Sequence, residues 1–205
     1  LDARRADLRA WLSARGLGWV DDPSNDDRAF ERVRVRAELS AADHAALKAQ
    51  AARRADERRA RALGGASCLD DRSVWRLDGG KLTLDPACMA AHHVDARMAA
   101  MAAALAWTGR LDRQPDTARV ERALAFCAEA KNGAALTIAG CLLRKQDGLV
   151  RIVAEARNLR PPVARGFDRL LPAADWPLAD ALARLHGATP FPSPPFTKVP
   201  SIAAH

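Results

Sequence analysis

The chain has 205 residues, room for one medium domain or two small ones with a real core; nearly half are hydrophobic, but only 5% are aromatic and there is no tyrosine. Its 32 Lys plus Arg against 25 Asp plus Glu leave +7 at pH 7, a surplus that points to a polyanionic partner or an anionic surface. No apolar run is long enough for a helical membrane span and no basic-then-apolar signal opens the chain, so a soluble, cytoplasmic protein is the expectation.

Only five of the basic residues are lysine, and arginine is the better fork-shaped phosphate ligand. The four cysteines, at 68, 88, 127 and 141, form neither a CxxC pair nor a compact disulfide scaffold and read as reduced thiols. Cys88 with His92 and His93 does not make a metal site, because only one of two adjacent histidines can sit i+4 on the cysteine's helix face and no second cluster completes a tetrahedron.

Residues 2–16 place Leu8, Trp11 and Leu12 on one face and end at Gly16, which predicts an amphipathic helix. The chain opens on Leu1 inside that pattern, as a fragment or processed form would. "LGWVDDPSND" then gathers turn formers, so its aspartates fall in a loop. From Phe30 to about Leu63 the pattern is helical, with "ARRADERRARAL" at 52–63 polar almost all round and read as a solvated helix. "GGAS" at 64–67 reads as a helix break, with the Gly-Gly as a C-cap.

Beyond it, "SVWRL" and "KLTL" joined by "DGG" predict a hairpin, and residues 86–107 one helix opened by Asp85 and Pro86, with Met98, Met101 and Leu105 in the core. Residues 114–133 predict another helix, and 135–157 two or three strands around Gly140 and the Asp147-Gly148 turn. The proline-rich tail is irregular apart from a short helix near "LADALARLHG". The expected fold is mostly α with a small α+β domain: an N-terminal helical segment and long helical linker (1–63), helices packed on a small antiparallel sheet (64–159), and an extension over 160–205.

The segment "GLGWVDDPSNDDRAFERVRVRAEL" carries Trp19, Asp22, Pro23, Ser24, Asn25, Arg32 and Arg36. It resembles the end of the nucleotide-binding domain in bacterial tRNA(Ile)-lysidine synthases, of the form W-x-D/E-D-P-S-N, about six residues, then R-N-x-x-R. Val33 departs from that form, standing where an asparagine is usual. Downstream, "TIAGCLLRKQDGLVRIVAEAR" is similar, more loosely, to the ending of the family's substrate-binding domain, although Ala156 separates Glu155 from Arg157. The SGGxDS loop with which the family holds ATP is absent; "LGGASCLDD" at 63–71 lacks its serine and its D-S ending.

The resemblance implies the C-terminal part of a ligase that adenylates the wobble cytidine of an isoleucine tRNA with ATP, joins lysine to it, and so changes the codon read from AUG to AUA. It implies tRNA(Ile), lysine, ATP and magnesium as partners of the complete enzyme, no cofactor in this chain, which alone is expected to be inactive, and leaves room for a homodimer. On a helix Arg32 and Arg36 share one face while Arg34 lies almost opposite. Under the resemblance that pair faces ATP or tRNA, Asp22, Ser24 and Asn25 form the supporting loop, Asp22 caps the helix start and pairs with arginine, and no catalytic residue is assigned. A second reading is a non-catalytic basic helical adaptor binding an acidic protein or a membrane surface. A self-sufficient enzyme lacks support, because His44, His92, His93 and His186 have no serine or cysteine that the sequence places beside them.

Overall fold

The structure, a computed structural model, describes residues 5–78, 81–111, 113–156 and 176–187. Most of the proline-rich extension lies outside the described residues, as do Gly79 and Gly80 of the first hairpin and the side chains of Arg36, Ala41 and Trp176. The chain divides into two compact units, Leu1–Ala51 and Ala52–His205.

The first unit opens with α1, Arg5–Ser13. Gly16 closes it in the left-handed region at φ 65°, its N–H donating to the Ser13 carbonyl and that of Leu17 to the Leu12 carbonyl. A single 3-10 turn, Pro23–Asn25, precedes α2, Glu31–Glu38. The continuous helix expected from Phe30 is interrupted at Leu39 and Ser40, where α3, Ala41–Asp70, begins. A capping box causes the break: Ser40 Oγ accepts from the Asp43 N–H at 3.2 Å, and the Asp43 carboxylate accepts from the Ser40 N–H at 2.9 Å. No described residue of this unit is buried, and Leu8, Trp11 and Leu17 are each about half exposed.

In the second unit α3 does not break at "GGAS" but runs through it to Asp70. Close packing against α5, Val94–Thr108, explains the two glycines. A Cβ on Gly65 would come within 2.7 Å of both the Ala99 Cβ and Leu178 Cδ2, and one on Gly64 within 3.3 Å of the Ala96 Cβ. Glycine inside a helix costs about 1 kcal/mol relative to alanine. Here that cost is offset by burial of Ala62, Ala66, Cys68 and Leu69.

The single helix expected over 86–107 is two, α4 at Pro86–Met89 and α5. Asp85 caps α4 with Pro86 in its first turn, as read. The chain then turns because His92 Nε2 lies 3.0 Å from Asp71 Oδ2, while His93 restarts the helix by accepting the Asp95 N–H on Nδ1. Asp71 also accepts from the Ser73 N–H and hydroxyl, so it ties the exit of α3 to the turn before α5. Helix α5 is buried continuously from Ala100 to Ala106, with Met101 and Leu105 in the core and Met98 packed against it. It packs on α6, Thr117–Glu129, and on α7, Trp176–Leu185. Arg184 of α7 makes a two-pronged pair with Asp70 at the end of α3.

The sheet comprises β1 (Trp75–Asp78), β2 (Lys81–Leu84), β3 (Ala135–Ile138), β4 (Cys141–Gln146) and β5 (Leu149–Ala154) in the antiparallel order β1-β2-β5-β4-β3. Both expected hairpins form, and the Asp147-Gly148 turn has positive φ at both residues. Alternation sends Trp75, Leu84, Val150, Ile152, Leu143 and Cys141 into the core. The mostly α architecture with a small α+β part is thus as read.

Gly65→Ala should lower the melting temperature, because overpacking of about 1–3 kcal/mol outweighs the gain in helix propensity; thermal unfolding by circular dichroism checks this, and a rise would show that the seam can open. Hydrogen bonds from the Ser73 hydroxyl and His92 hold the Asp71 carboxyl down at about 2. A depressed carboxylate contributes stability that is fully present above its ordinary pKa and is lost as pH falls through its folded value. Asp71→Asn should therefore flatten the loss of stability between about pH 4 and 2 in acid titrations followed by denaturant unfolding.

Candidate functional site

The loop between α1 and α2 gives three of its four aspartates separate tasks. Asp21 gathers the basic side of α1: its carboxylate accepts from Arg5 Nη2 at 3.2 Å, from Arg9 and, at 3.3 Å, from Trp19 Nε1. The Arg9 guanidinium also lies over the Trp19 ring, 5.3 Å from its centroid. Asp22 accepts from the Ser24 N–H at 2.9 Å and so caps the 3-10 turn Pro23–Asn25, with Pro23 in the position that needs no donor. Asp27 accepts from the Ala29 N–H at 2.8 Å, closing a second local turn just before α2.

Asp22 was expected to cap the helix that carries the arginines; it caps the preceding turn instead. Phe30 occupies the N-cap of α2 and makes no side-chain capping bond. Asp22 also makes no ion pair with arginine within 4 Å among the described residues; Asp21 takes that role with Arg5 and Arg9. The Asp22 carboxyl is held below its ordinary value first by the Ser24 N–H, then by the Ser24 hydroxyl, and only last by the charge of Arg32.

Arg32 reaches back eight residues to the turn. Its Nη2 donates to Ser24 Oγ at 3.1 Å and to the Ser24 carbonyl at 3.5 Å, and its guanidinium covers the Phe30 ring at 4.6 Å. The structure therefore brings Arg32, Ser24, Asn25 and Asp22 together. Arg36 lies one helical turn further along α2, and its side chain is outside the described residues. Arg34, on the other side of the helix, donates to the Arg28 and Ala29 carbonyls. Val33, in the place of the usual asparagine, is half-buried. Held by one nitrogen, the exposed Arg32 fork keeps further N–H groups for an oxygen-rich ligand.

The second unit adds a groove of about 680 Å³ between α3, α5 and α6, with Arg58, Arg61, Arg97, Met98, Val120 and Leu124 in its walls. The Arg97 Nε is buried there without a hydrogen-bond partner. Sequence reasoning, which read 52–63 as a solvated helix, missed this concavity, since only the packing of α6 against α5 creates it. Burial pushes the thiols of Cys68 up to about 11 and of Cys127 and Cys141 to about 12, so these three are poor nucleophiles. Among the described residues no group of three or more His, Cys, Asp or Glu could hold a metal ion, and no helix is long and apolar enough to cross a membrane.

Asp22→Ala should speed backbone amide exchange at Ser24, measured by NMR, because it removes the acceptor that holds that N–H. Asp21→Asn should leave the Ser24 exchange rate as it is, since its bonds run to α1 and Trp19; equal acceleration in both variants would mean that the loop orders as one unit.

No protein-family model matches the chain, and no solved structure matches it either. Curated proteins do. The chain is similar to the tRNA(Ile)-lysidine synthase of Mesorhizobium japonicum, 32% identical over 174 residues, which is 83% of this chain and 37% of that protein. The corresponding protein of Brucella anthropi is 32% identical over 166 residues, 78% of this chain and 36% of the relative. A shorter match to that of Hyphomonas neptunium is 67% identical over 36 residues, 18% of this chain and 10% of the relative. The chain spans little more than a third of the length of even the relatives it matches most extensively. By its sequence the chain belongs to the tRNA(Ile)-lysidine synthase family.

Proposed function

We propose that the chain is the C-terminal part of an enzyme that ligates lysine to the wobble cytidine of tRNA(Ile), with adenylation by ATP preceding attack of the lysine amine, and that it contributes tRNA binding. The observation that carries this reading is the 32% identity over 83% of the chain to a protein of that name. The net charge of +7, carried mainly by arginine, supports a polyanionic substrate. In the complete enzyme Arg32 and Arg36 contact ATP or tRNA, and Asp22, Ser24 and Asn25 hold the loop that presents them. The compartment proposed for this activity is the cytoplasm.

The residues of this chain do not fit ATP and its magnesium as a phosphate cradle. A cradle needs a glycine-rich loop whose N–H groups point at the ligand. Gly64 and Gly65 are inside a helix instead, and their missing side chains make room for Ala96 and Ala99. The isolated chain should therefore show no heat of binding when titrated with ATP and magnesium; micromolar binding would overturn that expectation.

In the complete synthase, Arg32→Ala and Arg36→Ala should each lower lysidine formation by about tenfold or more, the loss expected for a charge-assisted hydrogen bond in a site shielded from water. Arg54→Ala and Arg59→Ala, on the exposed stretch of α3, should change it little. Arg32→Lys should rescue poorly, since lysine keeps the charge but not the fork. Ser24→Ala separates the two tasks of Arg32: if it matches Arg32→Ala, the arginine acts by holding the loop, and if it stays near the parent, the arginine contacts substrate. Parent rates in normally melting Arg32→Ala and Arg36→Ala enzymes would sink the site assignment.

A further inference from the structure

The face of the sheet turned away from the helices carries a row of arginines. Antiparallel register sets Arg76 of β1 opposite Thr83 of β2, Thr83 opposite Arg151 of β5, and Arg151 opposite Arg144 of β4. Their neighbours along each strand, Trp75, Leu82, Leu84, Val150, Ile152 and Leu143, are buried, so alternation points the row outward. All three arginines are exposed. At about 4.8 Å between strands the row crosses roughly 14 Å of sheet.

Among the described residues nothing accounts for this row. Among the described residues none of the three makes a hydrogen bond or an ion pair with a carboxylate, in contrast to Arg5, Arg9, Arg119 and Arg184. Of the outward positions on the five strands only Asp78 is acidic, and it sits directly opposite Lys81. Arg144 and Arg151 face each other across a strand pair, an arrangement of like charges that destabilises a sheet. An anionic ligand would turn that repulsion into a shared site.

We propose that this outer sheet face binds the sugar-phosphate backbone of tRNA, with Arg76, Arg151 and Arg144 holding phosphates. The proposal rests on the reading of the chain as the tRNA-binding part of a synthase and places that binding on the sheet. Charge complementarity favours RNA over the other anionic partners. A stable acidic-protein interface is anchored by aromatic side chains in its core, and a membrane-surface site by an apolar face with aromatics. The outward positions hold no aromatic residue and only Leu142, Leu149 and Val153 as large apolar ones, all half-buried. The same lack of aromatics leaves nothing to stack on bases, so the face reads backbone and shape, and its contribution is indifferent to base identity.

The test is anisotropy titration of labelled tRNA(Ile) transcript with the 205-residue chain over a salt series. Replacing all three residues, R76Q/R144Q/R151Q, should weaken binding about 100-fold and make the salt dependence shallower by about 2 to 3 in slope. A control, R54Q/R59Q/R119Q, removes the same number of charges elsewhere and should cost less than about threefold. Arg151→Glu sets a carboxylate opposite Arg144, keeps the sheet and should also lose binding, which covers the case that the triple variant fails to fold. A transcript with base pairs exchanged but the fold kept should show the same losses. If triple variant and control lose affinity equally, or the folded sheet variants bind like the parent, the sheet-face proposal falls while the reading of the chain as an RNA binder stands. If the parent chain binds no tRNA, or prefers phosphatidylserine vesicles or a polyglutamate peptide, both fall.

Discussion

The second unit depends on one close approach: α3 lies against α5 at a distance that only glycine permits. Gly65 leaves no slack, with Ala99 and Leu178 where its side chain would be. Because that helix pair is locked, Cys68 and Leu69 reach the core, Asp70 meets Arg184, and Asp71 meets His92. The exit of α3, the entry of α5 and the end of α7 are thus all positioned from the same seam. The sheet follows from it, since Trp75 enters the core only four residues after Asp71, whose carbonyl receives the Trp75 N–H.

The loop of the first unit works differently, by local polar bonds rather than by burial. An acidic turn followed by arginines looks like opposite charges waiting to neutralise one another. Instead Asp21, Asp22 and Asp27 each have separate partners, and Arg32 and Arg34 bind oxygens of the loop itself. Exposed bonds of this kind are individually weak. Their number and short range fix a shape, and a fixed shape is what a fork-shaped ligand for phosphate needs.

Legibility in the sequence followed the range of the interaction. Caps and tight turns were readable at Asp85-Pro86 and Asp147-Gly148, because their bonds close within a few residues. Ser40 and Asp43 formed an equally local capping box whose S-x-x-D spacing was available but was passed over for the longer helical period. Gly64-Gly65 was misread because a helix stop and a close helix contact ask for the same residue, and only the partner helix distinguishes them. The arginine row shows the same limit. The turn at 147–148 alone puts Arg144 opposite Arg151, but Arg76 joins them only through the pairing of β2 with β5, some seventy positions apart in the chain. In the loop, the grouping of Asp22, Ser24, Asn25 and Arg32 was legible, whereas which aspartate serves which donor was not.

The alanines of α5 carry a consequence for how this protein tolerates change. Ala96, Ala100, Ala102, Ala103, Ala104 and Ala106 are all buried, so much of the core consists of backbone covered by single methyl groups. These alanine positions have little to lose by truncation and no room to grow. A single base change converts an alanine codon to valine or threonine, adding atoms where neighbours already touch. Hereditary damage along α5 should therefore come by crowding at these alanines, and repair by a compensating reduction on the facing helix, where α3 has already gone as far as glycine.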